Sequence, residues 1–164
     1  MTKPGKLALL LVSLFAFGST TALAAGQTPQ ALFKARTDQW IAQYNSGKAE
    51  AADKIVAMYT ADAMIMPPDA SAAAGRDGMH DFLVKDMAAS KAAGITLRID
   101  KDNAGASGIL GWHSGTFSVL DKDQKTVGTG KFVEVWKKIN GKWLIIRDIW
   151  NNDAPVPAAP AATQ

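Results

Sequence analysis

The stretch Phe132-Val-Glu-Val-Trp-Lys-Lys-Ile139, Asn140-Gly141, Lys142-Trp-Leu-Ile-Ile-Arg-Asp-Ile-Trp150 leaves the chain few local choices. Asn-Gly between two apolar runs is the signature of a two-residue hairpin, because a type I′ turn needs positive φ at both central positions. Similar runs of β-formers reach back to Gly108, and four of the five tryptophans (Trp112, Trp136, Trp143, Trp150) lie in this segment. Gly108 to Asn152 is therefore read as three consecutive antiparallel strands. They form a curved sheet with helices packed on it, and any site is expected between the two.

Turn geometry then sets the register. A two-residue turn pairs Ile139 with Lys142, which places Trp136 opposite Ile145 and Glu134 opposite Arg147. A turn centred on Lys122-Asp123 pairs Asp121 with Gln124, putting His113 opposite Phe132 and Gly111 opposite Glu134. Directly opposed residues share a face. One face then carries His113, Phe132, Glu134, Trp136, Trp143, Ile145, Arg147 and Ile149, with Gly111 and Gly115 leaving room. Three ionisable groups in an aromatic field make His113, Glu134 and Arg147 the candidate catalytic residues. A structural ion pair and a core histidine are the plainer reading of the same residues. The other face carries Leu110, Trp112, Val133, Val135, Leu144, Ile146 and Trp150, with Asp148, Lys131 and Lys137. That face is apolar enough to be covered by a second copy of the sheet.

Upstream, Thr28-Pro29 reads as an N-cap followed by proline at the first helical position. Leu32, Phe33, Arg36, Trp40, Ile41 and Tyr44 recur at helical spacing until Gly47. Ala49 to Tyr59 is expected to be a second helix burying Ile55, Val56, Met58 and Tyr59, and Ala63 to Met66 a short strand stopped by Pro67-Pro68. Asp77 is expected to cap a third helix to about Ala93, with Met79, Phe82, Leu83 and Met87 inward and Gly94 as its stop. Ile95 to Ile99 alternates as a strand, and Asp100 to Ser107 reads as its turn.

The chain begins differently. Lys3 and Lys6 precede an apolar run, Leu7 to Phe17, and Ala22-Leu23-Ala24 offers small residues to a signal peptidase. Residues 1–24 are therefore expected to be a signal peptide, too short for a membrane anchor, with a secreted or periplasmic destination. Its removal takes two of the 18 basic residues, leaving 16 against 15 acidic ones, a net charge of about +1. No basic cluster argues for nucleic acid, and no membrane association is expected after cleavage. Cysteine is absent, so no disulfide supports the fold. Residues 28–153 form one domain, and the Ala/Pro-rich residues 154–164 read as a disordered tail.

No GxSxG, HExxH, P-loop or GxGxxG motif occurs, and the two histidines, His80 and His113, show no metal-ligand spacing. Neither metal nor cofactor is expected.

The order of elements, with Tyr59-Thr-Ala-Asp-Ala-Met-Ile-Met-Pro-Pro68, Gly75-Arg76 opening a helix, and Gly141-Lys-Trp-Leu-Ile-Ile-Arg-Asp-Ile-Trp-Asn151, resembles the nuclear transport factor 2-like superfamily. The nearest branch is the SnoaL-like and ketosteroid-isomerase-like one, and the resemblance runs from Pro29 to Asp153. It implies an α+β fold, a cone-shaped barrel of a curved antiparallel sheet with three helices on its concave face, and a homodimer. The isomerases' aspartate base matches Pro67, and their helical tyrosine matches Trp40. Pro67 cannot take a proton, so steroid-isomerase chemistry is not expected. Matching Gly141 to Trp150 turns Ile146 and Trp150 toward the cavity, against the pairing argument above.

These readings converge on an exported domain that binds a small, largely apolar molecule, with Trp40, Phe132, Trp136, Trp143 and Trp150 as the pocket. An isomerase, dehydratase or hydrolase needing no cofactor, with His113 or Glu134 as base and Arg147 holding an anion, is compatible with it. A non-catalytic dimerisation or assembly module of the same fold is the alternative.

Overall fold

The computed structural model describes residues 28–154; the expected signal peptide and nearly all of the expected tail lie outside them. Helix α1 (Pro29–Ser46) starts where expected. The Thr28 hydroxyl accepts from the Ala31 N–H at 3.3 Å, Pro29 follows, and Gly47 closes the helix with φ +57°. Its buried stripe is Phe33, Thr37, Trp40 and Tyr44. Arg36 is exposed, and Thr37 takes the place on the stripe.

Helix α2 (Ala51–Val56) is shorter than the expected Ala49–Tyr59, because Tyr59 opens strand β1 (Tyr59–Met66). That strand lies parallel to the last one, with Tyr59 beside Ile145. A pairing 86 residues distant leaves no local trace, so the sequence extended the helix. A two-residue strand β2 (Ala73–Ala74) pairs with β1 before the third helix. Helix α3 (Gly75–Ala92) has Ala74 before it and no side-chain cap, with Asp77 in its first turn, where a carboxylate favours the helix dipole.

Strand β3 (Thr96–Ser107) runs straight through the expected turn at Asp100 to Ser107. It is an edge strand in the order β2-β1-β6-β5-β4-β3, where charged and polar residues keep an open edge soluble. Its residues pair with β4 (Leu110–Leu120), which is followed by β5 (Thr126–Ile139) and β6 (Lys142–Asn152). The sheet is curved, open and mixed, antiparallel except at β1–β6, and α1, α2 and α3 share a core with its inner face. Among the described residues no helix is long and apolar enough to cross a membrane.

The hairpin register is right at the turn and shifts beyond it. Ile139 pairs with Lys142 and Trp136 with Ile145, but Val135 then pairs with Arg147 and Glu134 with Asp148. Ile146 is the extra residue of a β-bulge, and one extra residue exchanges the faces of everything after it. Arg147 and Ile149 therefore turn outward, while Asp148 and Trp150 turn inward. The inward placing of Trp150 is what the family resemblance implied. The other hairpin turns at Asp121–Lys125, with Gln124 at φ +60°, and brings His113 opposite Glu134 in place of Phe132.

Candidate functional site

Between the helices and the inner face of the sheet lies a cavity of about 340 Å³. Trp40 and Tyr44 of α1, Phe82 of α3 and Phe117, Phe132 and Trp150 of the sheet supply its aromatic walls. Trp40 and Tyr44 stack with centroids 5.1 Å apart, and Phe82 leans on Trp150 at 6.0 Å.

Three of the five expected pocket aromatics thus line it: Trp40, Phe132 and Trp150. The other two belong to the core. Trp136 is 1% exposed and stacks on Phe33 at 4.7 Å, and Trp143 meets the same ring edge-on at 5.1 Å. Gly111 makes this possible, since a Cβ there would lie 2.6 Å from Phe33 Cζ.

The polar floor of the cavity is a pair of carboxylates. Glu134 and Asp148 are direct cross-strand partners, both line the cavity, and they are only 4% and 5% exposed. Glu134 Oε2 accepts from Trp136 Nε1 at 3.0 Å and from the Thr37 hydroxyl at 3.2 Å, and it lies 3.1 Å from His113 Nδ1. His113 is wholly buried behind Glu134, and its Nε2 lies 3.0 Å from Asp102 Oδ2. Burial alone would lower its proton affinity, but the hydrogen bonds and charges of Glu134 and Asp102 outweigh that and raise it. The imidazole is held between two carboxylates that favour its protonated form, and it supports Glu134 without lining the cavity.

Asp148 has a different environment. Its Oδ2 accepts from the Tyr59 hydroxyl at 2.5 Å, and that hydroxyl accepts from Trp40 Nε1 at 2.9 Å. Asp148 Oδ1 has no hydrogen-bond partner among the described residues, and it is open to the cavity rather than sealed in the protein. Burial, then the charge of Glu134, pushes its carboxyl up to about 8, so at neutral pH it is largely protonated. Tyr59 is pushed well above its ordinary value by burial and by Asp148 and Glu134, and remains a donor. A carboxylate and a carboxylic acid then stand side by side, able to take one proton and give another.

Arg147 is not part of this. It is exposed on the outer face and donates to the carbonyls of Ile146 and Asp62. Sequence reasoning found His113 and Glu134 but missed Thr37, Tyr59, Asp102 and Asp148. Thr37 was visible, four residues after Phe33 and three before Trp40 on the helical stripe. Tyr59 and Asp148 depend on the parallel pairing and the bulge, which no local pattern announces. At the opposite wall, the Tyr44 hydroxyl donates to Asp86 Oδ2 at 2.5 Å and lies 2.8 Å from Ser90 Oγ.

No protein-family model matches the chain, and no curated protein matches it. Solved structures do. A protein of unknown function from Pseudomonas putida, described as nuclear transport factor 2-like, superposes with a TM-score of 0.65 at 13% identity, over 74% of this chain and 84% of that one. The fold is nuclear transport factor 2-like. A protein so described from Novosphingobium aromaticivorans, with a cystatin-like fold, gives 0.61 at 14% identity, over 77% and 85%. A ketosteroid isomerase-like protein from Erwinia carotovora gives 0.57 at 16% identity, over 77% and 97%. At these identities the likeness establishes the nuclear transport factor 2-like fold. Pro67, the position matched with the isomerase base, lines the cavity without a proton to exchange.

Proposed function

We propose that this chain is a small-molecule-binding domain whose ligand occupies the cavity, its apolar body against the aromatic walls and a polar group at Glu134 and Asp148. The observation that carries this is Asp148 Oδ1, which has no hydrogen-bond partner among the described residues, on a side chain that lines a largely apolar cavity. A carboxyl oxygen that is open to the cavity and free of protein partners is available to a polar group of a ligand. Steroid-like and aromatic compounds should raise the melting temperature, and Trp150→Ala should reduce the shift. No shift across such a panel would remove the reading.

The carboxylate pair also favours proton transfer without a cofactor, of the isomerase or dehydratase kind, with Glu134 accepting and Asp148 donating. Arg147, facing away, takes no role in it. The chain is further proposed to be exported, with residues 1–24 removed, which places it in the periplasm or outside the cell. N-terminal sequencing of the exported protein should begin at Ala25.

The outer face supports a homodimer. Leu110, Trp112, Val133 and Ile149 are 51%, 43%, 43% and 46% exposed on neighbouring strands. An apolar stripe of that kind on a sheet face is typical of a buried interface.

A further inference from the structure

The charge of the cavity narrows the ligand. Its walls hold three acidic side chains, Asp86, Glu134 and Asp148, and among the described residues no lysine, arginine or histidine lines it. The basic group beside the floor, His113, sits behind Glu134 and is shared with Asp102. No described lysine or arginine forms an ion pair with any of the three.

We infer that the cavity takes an organic cation, an amine with an aromatic or alicyclic body, whose ammonium group sits between Glu134 and Asp148. This rests on the reading of the cavity as a ligand site and names the class of ligand. Two buried carboxyl groups in direct cross-strand register repel when both are ionised, and an N–H donor of opposite charge relieves that repulsion. Asp148 Oδ1 and Glu134 Oε1 are left to receive it: the first has no partner, and the second has only the Thr37 hydroxyl at 3.4 Å. Trp40, Trp150 and Phe132 line the same cavity, and aromatic rings within reach of a cation add to its attraction. A carboxylate or phosphate ligand would instead bring a further negative charge to an acidic cavity with no basic side chain to receive it.

A matched series tests this. Naphthylethylamine, naphthylethanol and naphthylacetate share one body and differ in the charge of the end group. By melting shift and calorimetry at neutral pH, the amine should bind about tenfold tighter than the alcohol, and the acetate should not bind. Asp148→Asn, whose folding is checked by circular dichroism, should bring amine and alcohol to within about threefold of each other while the alcohol still binds. An amine no tighter than the alcohol, an acetate as tight as the amine, or an undiminished amine preference in Asp148→Asn overturns the inference while the ligand-binding reading stands. If none of the three binds, both fail.

Discussion

Asp148 and His113 are the residues through which solvent pH reaches the core. Both bind their protons more tightly in the folded chain than their ordinary values allow. For Asp148 the stabilisation is complete below the ordinary value of 3.8 and is lost as the pH rises to about 8. For His113 it is complete below 6.5 and is lost as the pH rises through the raised value. The two act in the same direction. Above the ordinary carboxylate range their joint contribution should fall as the pH rises, by up to ~1.4 kcal/mol per pH unit for each proton involved. Melting curves of Asp148→Asn across this range should lose the part of the slope that lies between about pH 4 and 8.

Removing His113 tests the clamp from the other side. His113→Ala leaves Glu134 buried with Thr37 and Trp136 as donors but without its cation, and strands Asp102 as well. A loss of ~3 kcal/mol in urea unfolding is expected. A loss below about 1 kcal/mol would show that the imidazole is neutral there.

At the scale of elements, Gly111 in β4 decides how close α1 can approach the sheet. Phe33 lies over it, held flat by Trp136 and edge-on by Trp143, so the ring has nowhere to retreat. Gly111→Ala should cost ~1–3 kcal/mol. Gly108→Asn, at a turn with φ +60° and nothing within 4 Å of an added Cβ, should stay within about half a kcal/mol of the parent. Chemical denaturation of the two variants side by side checks both values.

The elements that the sequence made legible are those whose partners are adjacent in the chain. The Asn140-Gly141 turn, the alternation in β5 and the capping of α1 are local, and the structure has each of them where the sequence places it. Tyr59 carries a helical pattern locally because its strand is completed by β6, whose Ile145 lies 86 residues later. Asp100 to Ser107 has the composition of a turn, yet pairing with β4 overrides it along an edge where charged side chains can stay wet. The bulge at Ile146 lies in an unbroken apolar run, Leu144-Ile145-Ile146, where two-residue alternation gives no phase. Glu134 follows from the Asn140-Gly141 turn, His113 reaches the same face because the slip in the other hairpin is two residues, and Asp148 has no such local signal.

At the scale of the molecule, the sheet separates two surfaces with different demands. The inner one holds the cavity, and the outer one leaves Leu110, Trp112, Val133 and Ile149 in solvent. If two copies meet there, sedimentation should report a dimer, and Val133→Asp should give a folded monomer that still binds a naphthyl amine. A monomeric parent would remove the pairing of sheets and leave the cavity reading unaffected.

Arg147 and Asp148 are neighbours of opposite sign, and the backbone offset before them decides which one the interior sees. Had β6 run regularly through Ile146, a guanidinium would have faced Glu134, and the same side chains would have made an anion receptor. The ionic preference of such a chamber can thus be inverted by moving a strand one step, with no side chain exchanged.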